Sequence, residues 1–366
     1  MQNKNLIYLL PFTLIFLFVY PVICAESPLK PARLTCDNLV NPLGIDSGTP
    51  RLGWQFISTE KSQVQSAYEI VISDKAENIN RAEGNVWKSG KVQSAQSVNV
   101  SKSVALKLFT KYYWRVRVYD GGDEASEWSE IASFETAMLN DDDWTAKWIG
   151  DGKKNPDNDE DYFKDDRMPL FRKEFPATKA IASARLYISG VGYYEAYLNG
   201  KKISDLVLDP GWTTYKKQVL YAVHDITSLL QKGQNVAGVM LGNGWWNPLP
   251  IKLFGRWDLR NYQQTERPCL KAEIRITYSD QSVDVIPTDG SWESAQGPIV
   301  RNNVYLGEHY DARLEQDGWN TLKPDKKNWT RAAEVPGPAG RLSVQMQPPI
   351  KITNIVKPVR IAQISS

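Results

Sequence analysis

The chain has 366 residues, of which 42% are hydrophobic and 23% are charged. This composition excludes an intrinsically disordered chain, and the length is sufficient for at least two hydrophobic cores. The 44 basic residues nearly balance the 42 acidic ones, giving a net charge of +2. Because no basic block stands out, the charge pattern argues against electrostatic capture of nucleic acid and favours uncharged partners.

The N-terminal segment has the pattern of a secretory signal peptide. One lysine lies within residues 1–5, an apolar run follows over residues 6–24, and the small residue Ala25 precedes polar sequence. We predict that residues 1–25 are a signal peptide and that the mature protein is periplasmic, secreted or at the cell surface, without stable membrane insertion. A membrane anchor is the alternative, since the apolar run approaches the length of a transmembrane helix.

Cysteine usage is sparse. If Cys24 leaves with the signal peptide, Cys36 and Cys269 remain, and they fall in different predicted domains. We therefore expect neither a structural disulfide nor a cysteine-rich metal site.

Residues 28–137 contain short strand patterns separated by turns, without a stretch of helical period. The sharpest pattern is an alternation through Tyr112, Trp114 and Val116. It resembles the tyrosine-corner strand of fibronectin type III modules, although Leu108 stands where those modules have proline. We predict a fibronectin type III/Ig-like β-sandwich that acts as a spacer or brace, with its tryptophans packed in the core.

An acidic linker at residues 140–143 separates this domain from a second predicted β-domain, residues 144–340. Asp157, Asp159 and Asp161 have the spacing of the first ligands of a calcium loop. Tyr162 occupies the position that requires glycine, which excludes an EF-hand. A looser Ca²⁺ site stays open, so the metal ligands are unknown.

The stretch from residue 186 to residue 246 combines strands, a hairpin turn and a tryptophan cluster. Alternation through Tyr193, Glu195 and Tyr197 predicts a strand, and Asn199 with Gly200 predicts a tight hairpin, because both accept positive φ. Further alternating segments follow. Together they predict a jelly-roll β-sandwich of roughly eight or nine strands and an all-β chain.

Several ordered motifs are similar to the N-terminal β-sandwich module of bacterial α-L-rhamnosidases. The motifs are Leu186-Tyr187-Ile188-Ser189-Gly190, Tyr197-Leu198-Asn199-Gly200, Asp209-Pro210-Gly211-Trp212-Thr213-Thr214-Tyr215, Gly242-Asn243-Gly244-Trp245-Trp246, Tyr305-Leu306-Gly307-Glu308-His309-Tyr310-Asp311-Ala312-Arg313 and Gln347-Pro348-Pro349-Ile350.

The resemblance implies the N-terminal portion of a secreted glycoside hydrolase that releases terminal L-rhamnose. Such enzymes are similar to other inverting glycosidases, and their two catalytic carboxyl groups lie on a helical (α/α)₆ barrel. No long amphipathic helix pattern occurs in this sequence, so we assign no catalytic residue and expect substrate binding and structural support rather than hydrolysis. Residues 341–366 are expected to start a truncated β-domain, with Ile350 and Ile352 on a strand. A stand-alone lectin-like or surface scaffold protein is the alternative.

Sugar binding requires aromatic rings for the apolar face of the sugar and planar polar groups for its hydroxyls. Packing of one or two of the tryptophans within the sandwich is the alternative to ligand contact. The resemblance suggests a calcium-assisted rhamnose site, although neutral Thr214 stands where an acidic residue is expected. The candidate residues for binding a rhamnose-containing glycan or glycoside are Asp209, Trp212, Asn243, Trp245, Trp246, Asn247, Trp257 and Asp258.

The two histidines, His224 and His309, are far apart in the sequence, which argues against a Ser/His/Asp triad or a histidine metal centre. Glu308, Asp311 and Arg313 cluster near His309. We interpret this cluster as a structural charge network rather than a catalytic one.

Overall fold

The computed structural model describes residues 27–253, 255–325, 328–360 and 362. The predicted signal peptide, residues 1–25, lies outside this part of the chain. No helix among the described residues is long and apolar enough to cross a membrane. The predicted all-β class is confirmed, because strands dominate and helices are short. The helices are α1 (Ala76–Asn80) and the 3-10 helices Asp141–Asp143, Glu160–Phe163, Thr227–Leu229, Leu259–Asn261 and Ala312–Leu314.

The first domain is a sandwich of two antiparallel sheets. One sheet has the strand order β1-β2-β6, and the other has the order β4-β3-β7-β8, with β5 also paired to β3. The strands are β1 (Lys30–Cys36), β2 (Arg51–Ile57), β3 (Ala67–Ser73), β4 (Trp87–Lys88), β5 (Val92–Gln93), β6 (Val100–Ser101), β7 (Lys111–Tyr119) and β8 (Ala132–Glu135).

Strand β7 organises the core of this first sandwich. Its alternate residues Tyr112, Trp114 and Val116 are buried, as a strand with one face on a core requires. The backbone N–H of Lys107 donates to the Tyr112 hydroxyl at 2.8 Å. The tyrosine corner is therefore present. Its hydrogen bond is donated by a backbone N–H and so forms with Leu108 in place of the proline of fibronectin type III modules.

The second domain is a larger sandwich. The strands that the structure describes here are β9 (Ile149–Gly150), β10 (Pro169–Ala177), β11 (Ile181–Val191), β12 (Tyr193–Leu198), β13 (Lys201–Lys202), β14 (Gln218–Asp225), β15 (Gly233–Gly242), β16 (Lys252–Leu253), β17 (Trp257–Asp258), β18 (Cys269–Tyr278), β19 (Val283–Pro287), β20 (Glu293–Gln296), β21 (Ile299–Asn303), β22 (Gly307–Tyr310), β23 (Thr330–Arg331), β24 (Ala333–Glu334) and β25 (Arg341–Val344).

Two sheets form this sandwich. One has the order β13-β12-β15-β10-β20-β23, and the other has the order β24-β9-β18-β11-β14-β25, with β19 paired to β18. The sheets hold more strands than we predicted, because short edge strands such as β13 and β24 leave no periodic pattern. Asn199 and Gly200, with φ of 52° and 82°, join β12 to β13, so the predicted hairpin is confirmed. Two separate ribbons, β16-β17 and β21-β22, lie outside the sheets.

The two sandwiches are joined by a charged and aromatic contact. Arg185 of β11 donates two hydrogen bonds, each 2.8 Å long, to the carboxylate of Glu135 in β8. The ring of Phe109 meets that of Tyr187 at a centroid distance of 5.7 Å. A bidentate arginine–carboxylate pair fixes orientation as well as distance, so this contact supports one defined arrangement of the domains.

The predicted domain boundary after residue 340 is wrong. Strand β25 pairs in parallel with β14 and therefore belongs to the second sandwich. Beyond it, Lys351 makes only an isolated bridge to Leu206, and Ile350 and Ile352 are 56% and 62% exposed. Alternation alone predicted a strand there, but a strand needs a continuous series of backbone partners. The described residues provide only this bridge, with one 3.0 Å bond from the Val207 N–H to the Ile350 carbonyl.

Cys36 and Cys269 lie in the cores of different domains. Burial raises the pKa of both thiols. Both are free cysteines in this structure.

Candidate functional site

The centre of the site is a cluster of aromatic rings where β12 begins and β15 ends. Trp212 and Trp245 stack with centroids 4.9 Å apart and 24° between the ring planes. Tyr305 meets Trp245 edge to face at 5.5 Å, and the Trp245 side chain lies beside Tyr193, where burial raises the pKa of the phenol and Trp245 offsets part of that rise. We call these four residues the aromatic ledge. Trp212 is 48% exposed and Tyr305 is 41% exposed, so the ledge presents ring surface to solvent.

Close backbone contacts fix the loop that carries Trp245. Gly192 has a φ of +98°, and a Cβ atom there would lie 1.9 Å from the carbonyl oxygen of Gly242, so only glycine fits. The backbone N–H of Asn243 donates to Oδ1 of Asn302 at 2.7 Å, and Nδ2 of Asn243 donates to the Asn302 carbonyl at 3.0 Å. The predicted residue Asn243 therefore holds the loop against β21.

The predicted residue Asp209 anchors the turn that carries Trp212. Its carboxylate is buried and accepts hydrogen bonds from the Tyr194 hydroxyl and, at 3.2 Å, from Nε2 of Gln345. Oε1 of Gln345 accepts the backbone N–H of Gly211 at 2.7 Å. Burial first, and then Asp209, raise the pKa of Tyr194, which keeps the phenol protonated as a donor. Asp209 thus positions the turn from inside the protein.

Three other predicted residues are also enclosed. Trp246 is fully buried, and its Nε1 donates to the carbonyl of Arg267 at 2.8 Å. Asn247 accepts a 2.9 Å bond from the Arg260 guanidinium, and Asp258 accepts the Arg260 backbone N–H at 2.9 Å. Trp246 presents no ring face to solvent, so the packing alternative applies to it, while Asn247 and Asp258 brace the neighbouring loop.

Trp257 lies on the ribbon β16-β17, apart from the ledge. It is 50% exposed, and its ring contacts that of Tyr262 at a centroid distance of 5.2 Å. Among the described aromatic rings, the structure therefore brings Trp212 and Trp245 together and leaves Trp257 in a separate pair.

A groove beside the ledge was not predicted from the sequence. Tyr193, Glu195 and Tyr197 of β12 line it together with Glu308 and Tyr310 of β22. We call it the tyrosine groove, and its volume is about 540 Å³. The alternation in β12 could have indicated one wall, because residues two apart share a face. Nothing in the local pattern shows that β22, far later in the chain, completes the groove.

The two carboxylates of the tyrosine groove differ in their partners. Glu195 accepts hydrogen bonds of 2.6 Å from both Tyr197 and Lys202. Burial alone would raise the pKa of Glu195, but these two bonds lower it overall. Glu308 has no such bond among the described residues, and burial, followed by the charge of Glu195, raises its pKa. Glu308 is therefore the carboxylate that is open to a ligand.

The predicted charge network is only partly present. Asp311 and Arg313 form an ion pair at 2.6 Å, whereas Glu308 lies outside it, in the tyrosine groove. Nε2 of His224 lies 2.8 Å from the Tyr194 hydroxyl, and His309 pairs instead with an arginine. The histidines have separate partners.

Within the described ranges, no group of three or more histidine, cysteine, aspartate or glutamate side chains could hold a metal ion. In the acidic loop, Asp161 pairs with Lys164 and Asn158, and the bond from Lys164 is the main reason that its pKa is lowered. At the ledge, both oxygens of Asp209 have protein partners. Because Ca²⁺ takes six to eight oxygen ligands, the residues at these two places do not fit it.

Two sequence-family models match the chain, one on each sandwich. The Rha78A-like, N-terminal immunoglobulin domain matches residues 31–140. The alpha-L-rhamnosidase N-terminal domain matches residues 179–354.

Relatives with these domains are longer proteins. An α-L-rhamnosidase of Formosa agariphila is 32% identical over 368 residues, covering 93% of this chain and 38% of that protein. The structure of the α-L-rhamnosidase from Dictyoglumus thermophilum is 36% identical with a TM-score of 0.80, covering 90% of this chain and 37% of that one. The Streptomyces avermitilis α-L-rhamnosidase, solved in complex with L-rhamnose, has a TM-score of 0.78 at 23% identity, which shows the fold alone.

The chain spans less than half the length of these relatives and matches their N-terminal part. The resemblance stated from the sequence motifs is therefore confirmed. The chain belongs to the α-L-rhamnosidase family, of which it carries the N-terminal immunoglobulin-like domain and the β-sandwich domain that follows it.

Proposed function

We propose that this chain is the N-terminal portion of a secreted α-L-rhamnosidase and that its second domain binds the rhamnose-containing glycan or glycoside. The observation that carries the proposal is the aromatic ledge, in which two stacked and partly exposed indoles stand on tightly held loops. The first domain packs against the second and braces it through the Arg185–Glu135 contact.

The ledge suits a sugar because of its shape and its stiffness. The apolar C–H face of a pyranose packs on a flat ring, and an aromatic side chain that is already fixed loses little conformational entropy on binding. Trp212 is fixed by its stacking on Trp245, and its turn is fixed by Asp209 and Gln345. Ring surface is therefore preorganised before any ligand arrives.

We assign the hydrolytic step to a segment outside this chain. An inverting glycosidase needs two carboxyl groups about 6.5–9.5 Å apart, one of which acts as an acid and the other as a base. At the ledge, Asp209 is engaged by protein partners, and this chain spans 38% of the Formosa relative. We expect the purified chain to release no product from a chromogenic α-L-rhamnoside, and steady release would contradict the assignment.

Export of the mature chain rests on the leader-like residues 1–25. Expression of the full chain in a bacterial host, followed by N-terminal sequencing of the periplasmic product, tests it. We expect a new N-terminus near Ala25, and an uncleaved chain in the membrane fraction would favour an anchor.

Calorimetric titration of L-rhamnose into the purified mature chain tests the binding site. We expect saturable heat at millimolar sugar and at least a tenfold loss of affinity, about 1.4 kcal/mol, in Trp212→Ala and Trp245→Ala. Trp257→Ala is the matched control, because it removes an equally exposed indole outside the ledge. No heat, or equal losses in all three variants, would overturn the proposal. Affinity should not change with a calcium chelator.

A further inference from the structure

The tyrosine groove is large enough for sugar residues beyond the one on the ledge. Its volume of about 540 Å³ lies within the range of about 300–1,000 Å³ typical of small-molecule sites. Tyr310 is 49% exposed, and its hydroxyl donates to Glu315 at 2.5 Å, which fixes the ring at the side of the groove. A flat ring held in this way offers a second stacking surface.

The groove is continuous with the ledge. Tyr193 belongs to both, since it lines the groove and lies beside the Trp245 side chain. Asn302 lines the groove and also holds the backbone of Asn243 in the ledge loop. Leu208, on the groove, directly precedes the turn that carries Trp212. A chain of linked sugars on the ledge would therefore extend along the groove.

Two oriented amides and one open carboxylate lie at the groove. Oδ1 of Asn302 accepts the N–H of Asn243, and Oδ1 of Asn303 accepts the N–H of Tyr305, which fixes both amide orientations. Their Nδ2 atoms are buried and have no partner among the described residues. Glu308 supplies an acceptor. The exposed Glu308 carboxylate is the acceptor that a sugar hydroxyl can reach, while the two buried amides hold fixed orientations in the groove wall.

The charge of the groove is negative. It contains Glu195 and Glu308, and none of the described residues that line it is a lysine or arginine. The nearby Lys202 is already paired with Glu195. A carboxylate on the ligand would therefore meet like charge without a compensating cation, which opposes binding.

We propose that the tyrosine groove binds the sugar residues next to the one on the aromatic ledge and selects neutral oligosaccharides over those that contain uronic acids. Glu308 accepts hydroxyl groups of the neutral chain and repels the carboxylate of a uronic acid. The inference rests on the proposed function, because it takes the ledge as the site of the first sugar.

Calorimetry with three probes at pH 7 tests this selection. The probes are L-rhamnose, a neutral tetrasaccharide of α-linked L-rhamnose, and a tetrasaccharide in which L-rhamnose alternates with glucuronic acid. We expect the neutral tetrasaccharide to bind at least tenfold tighter than either of the other two. Glu308→Gln should bring the uronate-containing probe within threefold of the neutral one and leave the affinity for L-rhamnose unchanged. Glu124→Gln, an equal change of charge on the first domain, should alter none of the three affinities.

The outcomes separate the groove from the ledge. Equal affinity for L-rhamnose and the neutral tetrasaccharide would overturn the groove and leave the ledge intact. Equal or tighter binding of the uronate-containing probe to the unmodified chain would overturn the selection by charge. Absence of binding by all three probes would overturn the ledge and the groove together. Tetrasaccharide binding that survives Trp245→Ala but weakens in Tyr310→Ala would support the groove and count against the ledge.

Discussion

The two sandwiches differ in where they place tryptophan, since the second buries Trp246 and Trp292 but also exposes two indoles. In the first domain, Trp54 and Trp114 lie on long strands and are 2% and 0% exposed. In the second domain, Trp212 on a turn and Trp257 on a short ribbon are 48% and 50% exposed. A long strand in a sandwich directs alternate side chains into the core, whereas a turn has no such constraint. The first domain packs these indoles in its core, whereas the second domain also exposes indoles, which is the property that the proposed sugar binding requires.

The same contrast occurs between two consecutive residues. Trp245 stacks in the ledge, and Trp246 is fully buried with its Nε1 bonded to a backbone carbonyl. The ring of Trp246 also meets that of Tyr215 edge to face at 5.2 Å. Trp246 thus anchors the loop in the core, while Trp245 lies on the outer side of the same loop.

The largest expected effect comes from emptying the first core. Trp114→Ala removes a fully buried ring and should destabilise the first domain by about 3–5 kcal/mol, through lost burial and the cavity that remains. Urea unfolding, with hydrogen exchange read separately for residues of each domain, measures this loss of stability. Trp257→Ala is the control and should cost less than about 0.5 kcal/mol. Similar losses in the two variants would remove the contrast between the domains.

A second test concerns the rigidity of the ledge. Gly192→Ala should destabilise the second domain, because strained φ costs about 1–3 kcal/mol and the new Cβ also clashes with the Gly242 carbonyl. Gly233→Ala is the matched control, since its φ is +101° but nothing lies within 4 Å of the added atom. Thermal unfolding should show the larger loss for Gly192→Ala, and only this variant should weaken L-rhamnose binding. Equal losses of stability in the two variants would mean that the loop carrying Trp245 adjusts to the added Cβ without cost.

The strands and the tyrosine corner were predictable because their signals are local. The period of two in β7 places Tyr112 and Trp114 on one face, and the Asn199-Gly200 pair specifies a hairpin whatever surrounds it. The ledge was predictable in part, because turn residues around Trp212 and Trp245 indicate loops that expose rings. The binding roles of these residues stay predictions.

The remaining features depend on contacts between distant segments. Trp245 and Trp246 occupy equivalent positions in a loop without periodicity, so nothing local indicates which one is buried. Asp209 is enclosed because Gln345, far along the chain, reaches its carboxylate. The groove and the pairing of β25 with β14 have the same origin, since each joins strands that are far apart in sequence.

A smaller effect should come from the tyrosine corner. Tyr112→Phe keeps the ring but leaves the partly buried N–H of Lys107 without its acceptor, which should cost about 1–2 kcal/mol. Tyr113→Phe is the control, because the Tyr113 hydroxyl has no hydrogen bond among the described residues. Equilibrium unfolding of both variants measures the difference. No difference would mean that water replaces the lost oxygen and that the corner adds little to the brace.

The smallest expected effect on stability belongs to the ledge itself. A double-mutant cycle on Trp212 and Trp245 should give a coupling of about 0.5–1.5 kcal/mol, as for other stacked rings at a surface. The tilted pair Trp257 and Tyr262 provides the comparison and should couple more weakly. For Trp212→Ala, the loss of sugar-binding free energy should exceed the loss of unfolding free energy. For Trp114→Ala in the first core, the loss of unfolding free energy should be the main effect. A Trp212→Ala variant that loses as much stability as Trp114→Ala while still binding L-rhamnose would make the ledge a packing feature.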